Sequence, residues 1–258
     1  MASSATHGYT PQELMVVCAA REIRDGEVVF VGMRLPLIAF ALAKRTHAPN
    51  ATGLFENGLV RDTPSRELLL TMGDAPNILG AEWANRTGAL MGLLAQGCAN
   101  LGFVGGAEVD RFGNLNTSYI GSREHPAVKL PGSGGGADIA SLSHRLAIIM
   151  AHDKKRFPEH VSYITSPGYG DGGDWRQRVG LPRGGPSAVI TTLAVLGFAD
   201  GTHEMILRTW HPGSSAEAVR ANTGWDLHIA PDARETQPPT PDELRIIREC
   251  DPDGFWTR

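Results

Sequence analysis

In this 258-residue chain a glutamate, Glu56, stands where chemistry tends to happen, directly after the apolar run Ala51 to Phe55 and before Asn57-Gly58. The run reads as a buried strand. In open α/β sheets ligands bind beyond the carboxyl ends of the strands, so a carboxylate at a strand tip can act as a nucleophile or a base. Asn57-Gly58 supplies a sharp turn that would hold this side chain outward. Taken alone, a Glu before Asn-Gly is more often a solvated turn residue.

A second constellation is Pro131-Gly132-Ser133-Gly134-Gly135-Gly136-Ala137-Asp138. Successive glycines let backbone N–H groups converge on a phosphate or a developing oxyanion. The stretch lacks the Gly-Lys-Ser/Thr ending of a nucleotide-hydrolase loop and the glycine spacing of a dinucleotide fingerprint. Ser133 does not stand in a Gly-x-Ser-x-Gly elbow. A plain flexible loop fits the composition as well as an anion cradle does. The nine histidines form no metal-binding spacing, and His144 and His152 read as strand-end residues. Lys154-Lys155-Arg156 reads as a solvated face that could also meet phosphates. Lys44-Arg45, at a helix end, answer to the helix dipole.

The elements that must position these residues alternate. Thr10-Pro11-Gln12-Glu13 opens a helix with a capping box, and the helix ends near Asp25-Gly26. Glu27 to Gly32 reads as a strand, Leu37 to Arg45 as a helix, and Ala51 to Phe55 as the next strand. That order implies parallel strands joined by a crossover. Thr87 to Asn100 reads as a helix and Leu101 to Gly106 as a strand, with a turn through Arg111 to Asn114. Leu146 to Met150 and Val161 to Thr165 read as buried strands. Ser187 to Leu196 and Met205 to Trp210 suggest a hairpin around Asp200-Gly201. Ser214-Ser215-Ala216-Glu217 and Thr240-Pro241-Asp242-Glu243 start helices by the same capping pattern. Gly121 to Ser143 and Ser166 to Gly185 read as Gly-rich loops. The expectation is α/β: a single domain over residues 10–258 after a flexible leader, residues 1–9, with an open, mainly parallel sheet flanked by helices.

Composition bounds the partners. A formal net charge of -4 argues against nucleic acid or a membrane surface as the partner. Three cysteines, far apart and odd in number, suggest neither a disulfide framework nor a zinc site and point to a reducing cytoplasm. No apolar run reaches membrane-spanning length.

Read together, the short motifs resemble the β subunit of the family I CoA-transferases. They are Leu35-Pro36-Leu37-Ile38, Ala43-Lys44-Arg45 with Ala48-Pro49, Glu56-Asn57-Gly58, Gly105 to Asp110, Gly113 to Asn116, Gly132 to Gly135, Ser166 to Tyr169, Gly180-Leu181-Pro182 and Asn222-Thr223-Gly224. They occur in order over nearly the whole chain. The resemblance implies a CoA-transferase-like fold and Glu56 as the residue that attacks an acyl-CoA. Gly134, with Gly135 beside it, matches a glycine whose N–H helps form an oxyanion hole, and Gly32 matches a position closing the other side. Phe55 stands where many relatives have Ser, which leaves substrate range open.

The implied reaction moves CoA between an acyl-CoA and a free, dicarboxylic acid through a glutamyl-CoA thioester. Coenzyme A is then substrate and covalent intermediate, with no permanent cofactor and no metal. An ionised carboxylate needs no general base, which fits the absence of a Ser-His-Asp set. Asn57, Arg34, Arg123 and Lys129 could orient a substrate carboxylate, or be turn, surface or interface groups. A separate α-type subunit is expected to complete the site. Acyl-CoA hydrolysis, ring cleavage or decarboxylation on the same fold is the enzymatic alternative, favoured less because Glu56 is retained. A structural subunit is the non-enzymatic one.

Overall fold

The computed structural model describes residues 8–181 and 183–258. Most of the expected leader and Pro182 lie outside these residues. The chain forms two compact units, one of residues up to Gly92 with Gln237–Arg258, the other of Leu93–Thr236.

The first unit begins with α1 (Pro11–Arg21), opened by the Thr10 capping box; Glu13 closes it by accepting from the Thr10 N–H at 2.8 Å. Leu14 to Ala20 are all buried, so the helix is apolar around its circumference and lies inside the unit. Strand β1 (Val28–Phe30) leads to α2 (Leu35–Arg45), which starts two residues earlier than the sequence suggests. Strand β2 (Thr52–Phe55) runs parallel to β1, Val28 facing Thr52 and Phe30 facing Leu54. Phe40 on α2 meets Phe55 edge-on, at 6.3 Å between ring centres. The helix can approach because Gly53 lies beneath; a Cβ there would stand 2.9 Å from the Phe40 ring.

Residues 59–86 carry structure that the apolar patterning does not announce. Strand β3 (Leu59–Arg61) folds back antiparallel on β2, and after the short helix α3 (Ala75–Ile78) comes β4 (Trp83–Ala84), antiparallel to β3. Helix α4 (Thr87–Ala95) stops short of Asn100 at a Schellman turn: Cys98 N–H donates to Leu93 at 3.1 Å and Gly97 N–H to Leu94 at 3.0 Å, with Gly97 at φ 86.

In the second unit β5 (Leu101–Val104) is followed by the paired β6 (Glu108–Val109) and β7 (Leu115–Asn116), then by the hairpin β8 (Tyr119–Gly121) and β9 (Pro126–Lys129). Helix α5 (Gly136–Leu142) precedes β10 (Arg145–Met150); α6 (Trp175–Arg178), β11 (Pro186–Thr191), β12 (Ala194–Phe198), β13 (Met205–Trp210), α7 (Ala216–Ala221) and β14 (His228–Glu235) complete it. The strand order is β14-β13-β12-β11-β10-β5. The β5, β10 and β11 pairings are parallel; β12 and β13 add antiparallel strands around the Asp200-Gly201 turn. Helix α5 seats on β5 because Gly102 leaves room: a Cβ would stand 2.4 Å from Ile139. The chain then re-enters the first unit with α8 (Pro241–Cys250), opened by a second capping box at Thr240 and packed on α1 and α2.

The α/β class and the open, mainly parallel sheet with flanking helices are what this structure has. Several local expectations need correction. Ser187 to Leu196 is not one strand: β11 ends at Thr191, and β12 begins at Ala194 and turns back antiparallel to it; the stretch Ser166 to Gly185 holds the short helix α6. Val161 to Thr165 is not a strand: Tyr163 and Ile164 are exposed, and Ser162 donates to Glu108 instead of joining a ladder. The stretch Gly121 to Ser143 is not all loop, since it contains β9 and α5, whose glycine-rich start hides its helical nature. Among the described residues no helix is long and apolar enough to cross a membrane.

Candidate active site

Glu56, Asn57 and Gly58 form the turn between β2 and β3, whose ladder closes with Phe55 opposite Leu59. Gly58 N–H donates to the Phe55 carbonyl at 2.9 Å, and Gly58 takes φ 103, which favours glycine. Asn85 N–H donates to the Gly58 carbonyl at 2.9 Å, and the Asn85 carbonyl approaches so closely that a Cβ on Gly58 would stand 2.0 Å from it. The turn is therefore fixed from both sides, with Glu56 half-buried.

β1 and β2 end together: Phe30 faces Leu54, and the Val31 N–H donates to the Leu54 carbonyl at 2.9 Å, after which Gly32 continues past the end of β1 and Glu56 past the end of β2. Arg34 follows in the same bend. It is exposed, has φ 69 and ψ -120, and sets its guanidinium carbon 4.9 Å from the centre of the Trp256 ring.

Asn57 is engaged with the protein. Its Nδ2 donates to the Met72 carbonyl at 2.6 Å, and Nδ2 of the wholly buried Asn77 donates to the same oxygen at 2.7 Å. The Oδ1 atoms of both amides are buried with no hydrogen-bond partner among the described residues. The segment they grip is organised by Arg61, 3% exposed, which donates to the carbonyls of Thr63, Pro76, Asn77 and Leu79. Asp74 ties the same segment by accepting from Leu70, Thr71 and the Thr71 hydroxyl, bonds that hold its carboxyl below the usual range. Arg61, Asp74 and Asn77 escape a reading by motif: they serve backbone carbonyls and N–H groups elsewhere in the segment, and no spacing signals that.

The remaining expected residues belong to the second unit. Gly134, exposed, sits at φ 49, and Gly135, buried, opens α5 by accepting from Ile139 at 2.9 Å. Gly132 N–H donates to Thr117 at 2.8 Å and Gly136 N–H to Ser133 at 2.8 Å, which shapes the loop. Arg123 is exposed in the β8–β9 connection and Lys129 is exposed on β9. The run Glu108 to Asn116 is a hydrogen-bonded knot. Asn114 Nδ2 donates to both Asp110 oxygens and to Gly170, while its Oδ1 accepts from Gly168 and Gly170. Burial pushes the Asp110 carboxyl up although Asn114 bonds to it.

His152 is a core residue. Its ring stacks 4.0 Å from that of Phe157, and its nitrogens meet the hydroxyls of Thr191 and Thr223. His144 is exposed, with Nε2 3.0 Å from the Gly97 carbonyl. Arg156 pairs with Asp153, and Lys44 donates to the Pro49 and Ala51 carbonyls beyond its helix. Among the described residues no group of His, Cys, Asp and Glu could hold a metal ion.

The fold is an α/β sheet whose parallel strand β2 ends in a braced turn that carries Glu56. Residues 13–222 match the coenzyme A transferase family profile, and the chain belongs to that family. It is 39% identical over 241 residues to a 3-oxoadipate CoA-transferase subunit of Pseudomonas knackmussii, covering 93% of this chain and 92% of the relative. The crystal structure of glutaconate coenzyme A-transferase from Acidaminococcus fermentans superposes with a TM-score of 0.92 at 36% identity, over 97% of this chain and 98% of that one. The cholesterol ring-cleaving hydrolase IpdB subunit of Mycobacterium bovis is 30% identical over 260 residues, 96% of this chain and 98% of its own. The chain is thus a CoA-transferase subunit of the β type.

Proposed function

We propose that this subunit transfers CoA from an acyl-CoA to a free dicarboxylic acid, with Glu56 as the covalent carrier and a separate α-type subunit completing the site. The relatives named for 3-oxoadipate and glutaconate both act on dicarboxylic acids, which supports that substrate class here. Their naming as subunits supports the heteromer. Three free thiols, one of them the exposed Cys98, suit the cytoplasm.

The Glu56 carboxylate attacks the thioester carbonyl, and the tetrahedral oxyanion needs backbone N–H donors, the role that the family resemblance implies for Gly134 with Gly135 beside it. Collapse breaks the C–S bond and leaves an acyl-glutamyl anhydride with CoA thiolate. The thiolate attacks the glutamyl carbonyl, expels the first acid as its carboxylate and forms glutamyl-CoA. The second acid's carboxylate reverses both steps and restores Glu56. Each step exchanges one anion for another, so no net proton moves and no base is required. The anhydride hydrolyses readily, so the site must exclude water. Gly32, just past the end of β1, takes the place that the family resemblance implies for closing the site, and Asn57 braces the turn.

The observation that carries the reading is the placement of Glu56 in a turn fixed at the carboxyl end of a parallel strand. The test is to co-purify the chain with an α-type subunit, add acyl-CoA and trap with borohydride. Reduction of a single glutamyl-CoA ester at Glu56, absent from Glu56→Gln, is expected. Thioester hydrolysis without enzyme-bound CoA would overturn the proposal, as would transfer that survives Glu56→Gln.

A further inference from the structure

We propose that Arg34 recognises the second, non-reacting carboxylate of the acid, and that Trp256 is the platform that aims it. The inference rests on the transferase reading above and adds the group that reads the far end of the substrate. Its position comes from the strand register. β1 and β2 run parallel and end together, Phe30 facing Leu54; Arg34 follows β1 by four residues and Glu56 follows β2 directly, so both leave the same end of this strand pair.

The backbone at this position is strained. At φ 69 and ψ -120 Arg34 occupies a region that glycine enters freely and a side chain resists. Outliers of this kind persist where the surroundings enforce them, and they gather at ligand sites. Burial does not explain this one, because Arg34 is exposed.

The platform beneath the guanidinium is itself held firmly. Asp251, 2% exposed, accepts the backbone N–H groups of Phe255, Trp256 and Thr257 at 2.7, 2.9 and 3.0 Å, which knots the C-terminal segment. The Trp256 indole then donates to the Leu69 carbonyl at 3.1 Å, fixing the ring on which the guanidinium rests. Stacking engages the face of a guanidinium and leaves its N–H edge for a carboxylate, which it binds with two parallel hydrogen bonds. Lysine offers neither the flat face nor the fork.

The experiment uses the purified pair, with butyryl-CoA as donor and acceptors matched in chain length: glutarate against pentanoate, adipate against hexanoate. The reading is the ratio of kcat/KM for the dicarboxylic over the monocarboxylic acid. Arg34→Gly is expected to lower this ratio about 10- to 100-fold, the worth of a charged hydrogen-bond pair, while raising the melting temperature by relaxing the backbone. Arg34→Lys should lower the ratio by an intermediate amount. Trp256→Leu should raise KM for the dicarboxylic acid with little change in kcat, as a positioning residue does. An unchanged ratio in Arg34→Gly would overturn the proposal, and so would an equal fall for both acids, the mark of a contact with CoA or of a purely structural role. Should the wild-type pair give no transfer and no trapped CoA, the transferase reading has failed on its own. Arg34 is then judged by binding: stabilisation by glutarate beyond pentanoate, lost in Arg34→Gly, upholds its role, and no difference refutes it.

Discussion

Two buried histidines make the stability of this chain depend on pH in a calculable way. His152 and His211 both have their pKa pushed down to about 4, chiefly by burial. His211 Nε2 lies 2.8 Å from the Thr191 carbonyl, which can only accept, so Nε2 carries a proton, and Nδ1 lies 2.9 Å from the Thr236 hydroxyl. With burial holding each pKa at about 4, both rings are neutral in the folded chain at neutral pH. In the unfolded chain a histidine takes up its proton near pH 6.5. Between about pH 6.5 and 4 the unfolded state thus binds more protons, and stability falls as pH falls. From pH 8 to pH 5 each histidine costs about 2 kcal/mol, so the pair costs about 4 kcal/mol, a large share of the ~5–15 kcal/mol of an ordinary domain. Asp110 acts in the opposite sense: its raised carboxyl is protonated first in the folded state, which recovers part of the loss toward low pH. Urea unfolding followed by circular dichroism at several pH values measures the slope. NMR titration of the two imidazole Cε1–H signals assigns it. Stability that stays flat between pH 8 and 5, or either ring titrating near 6.5 in the folded protein, would refute the reasoning.

Two further outcomes concern the Glu56 turn. Gly58→Ala places a methyl group 2.0 Å from the Asn85 carbonyl oxygen at a φ of 103, so a loss of about 2–4 kcal/mol is expected in thermal unfolding, with reduced formation of enzyme-bound CoA. Asn77→Ala removes one of the two amides on the Met72 carbonyl and should cost about 1–3 kcal/mol. Because the amides share an acceptor, the double variant Asn57→Ala/Asn77→Ala should depart from additivity by about 0.5 kcal/mol or more in a double-mutant cycle.

What the sequence makes legible is whatever rests on local chemistry. Thr10-Pro11-Gln12-Glu13 and Thr240-Pro241-Asp242-Glu243 announce their helices because a capping box is complete within four residues. Buried parallel strands announce themselves as apolar runs, as at Ala51 to Phe55 and Leu146 to Met150. Glu56 is legible as a strand-tip residue, and the ordered motifs carry the family. What escapes depends on distant partners. Helix α5 begins Gly136-Ala137, which looks like loop until Gly102, on another strand, gives Ile139 its space. Val161 to Thr165 has strand-forming residues, but the hydrogen bond from Ser162 goes to the Glu108 side chain. Asp110, next to the expected turn Arg111 to Asn114, carries no local sign that it is the centre of a buried knot.

The bracing of the Glu56 turn follows from the chemistry proposed for it. In CoA transfer between acids the attacking and departing groups are both carboxylates, so the protein has little to gain from an acid or a base and much to gain from geometry. A carboxylate that must attack, become an anhydride, become a thioester and return cannot wander between steps. Holding it asks for a backbone that neither shifts nor opens to water. The β2–β3 ladder fixes one side of the turn, and the contact between Gly58 and Asn85 fixes the other. Asn57 hands the restraint to Met72, and the loop around Met72 is held in turn by Arg61, whose guanidinium is spent wholly on backbone carbonyls. A buried arginine costs desolvation and yields little net stability in most settings. Its use here makes sense as rigidity supplied to the turn whose side chain would change its covalent state in the proposed reaction.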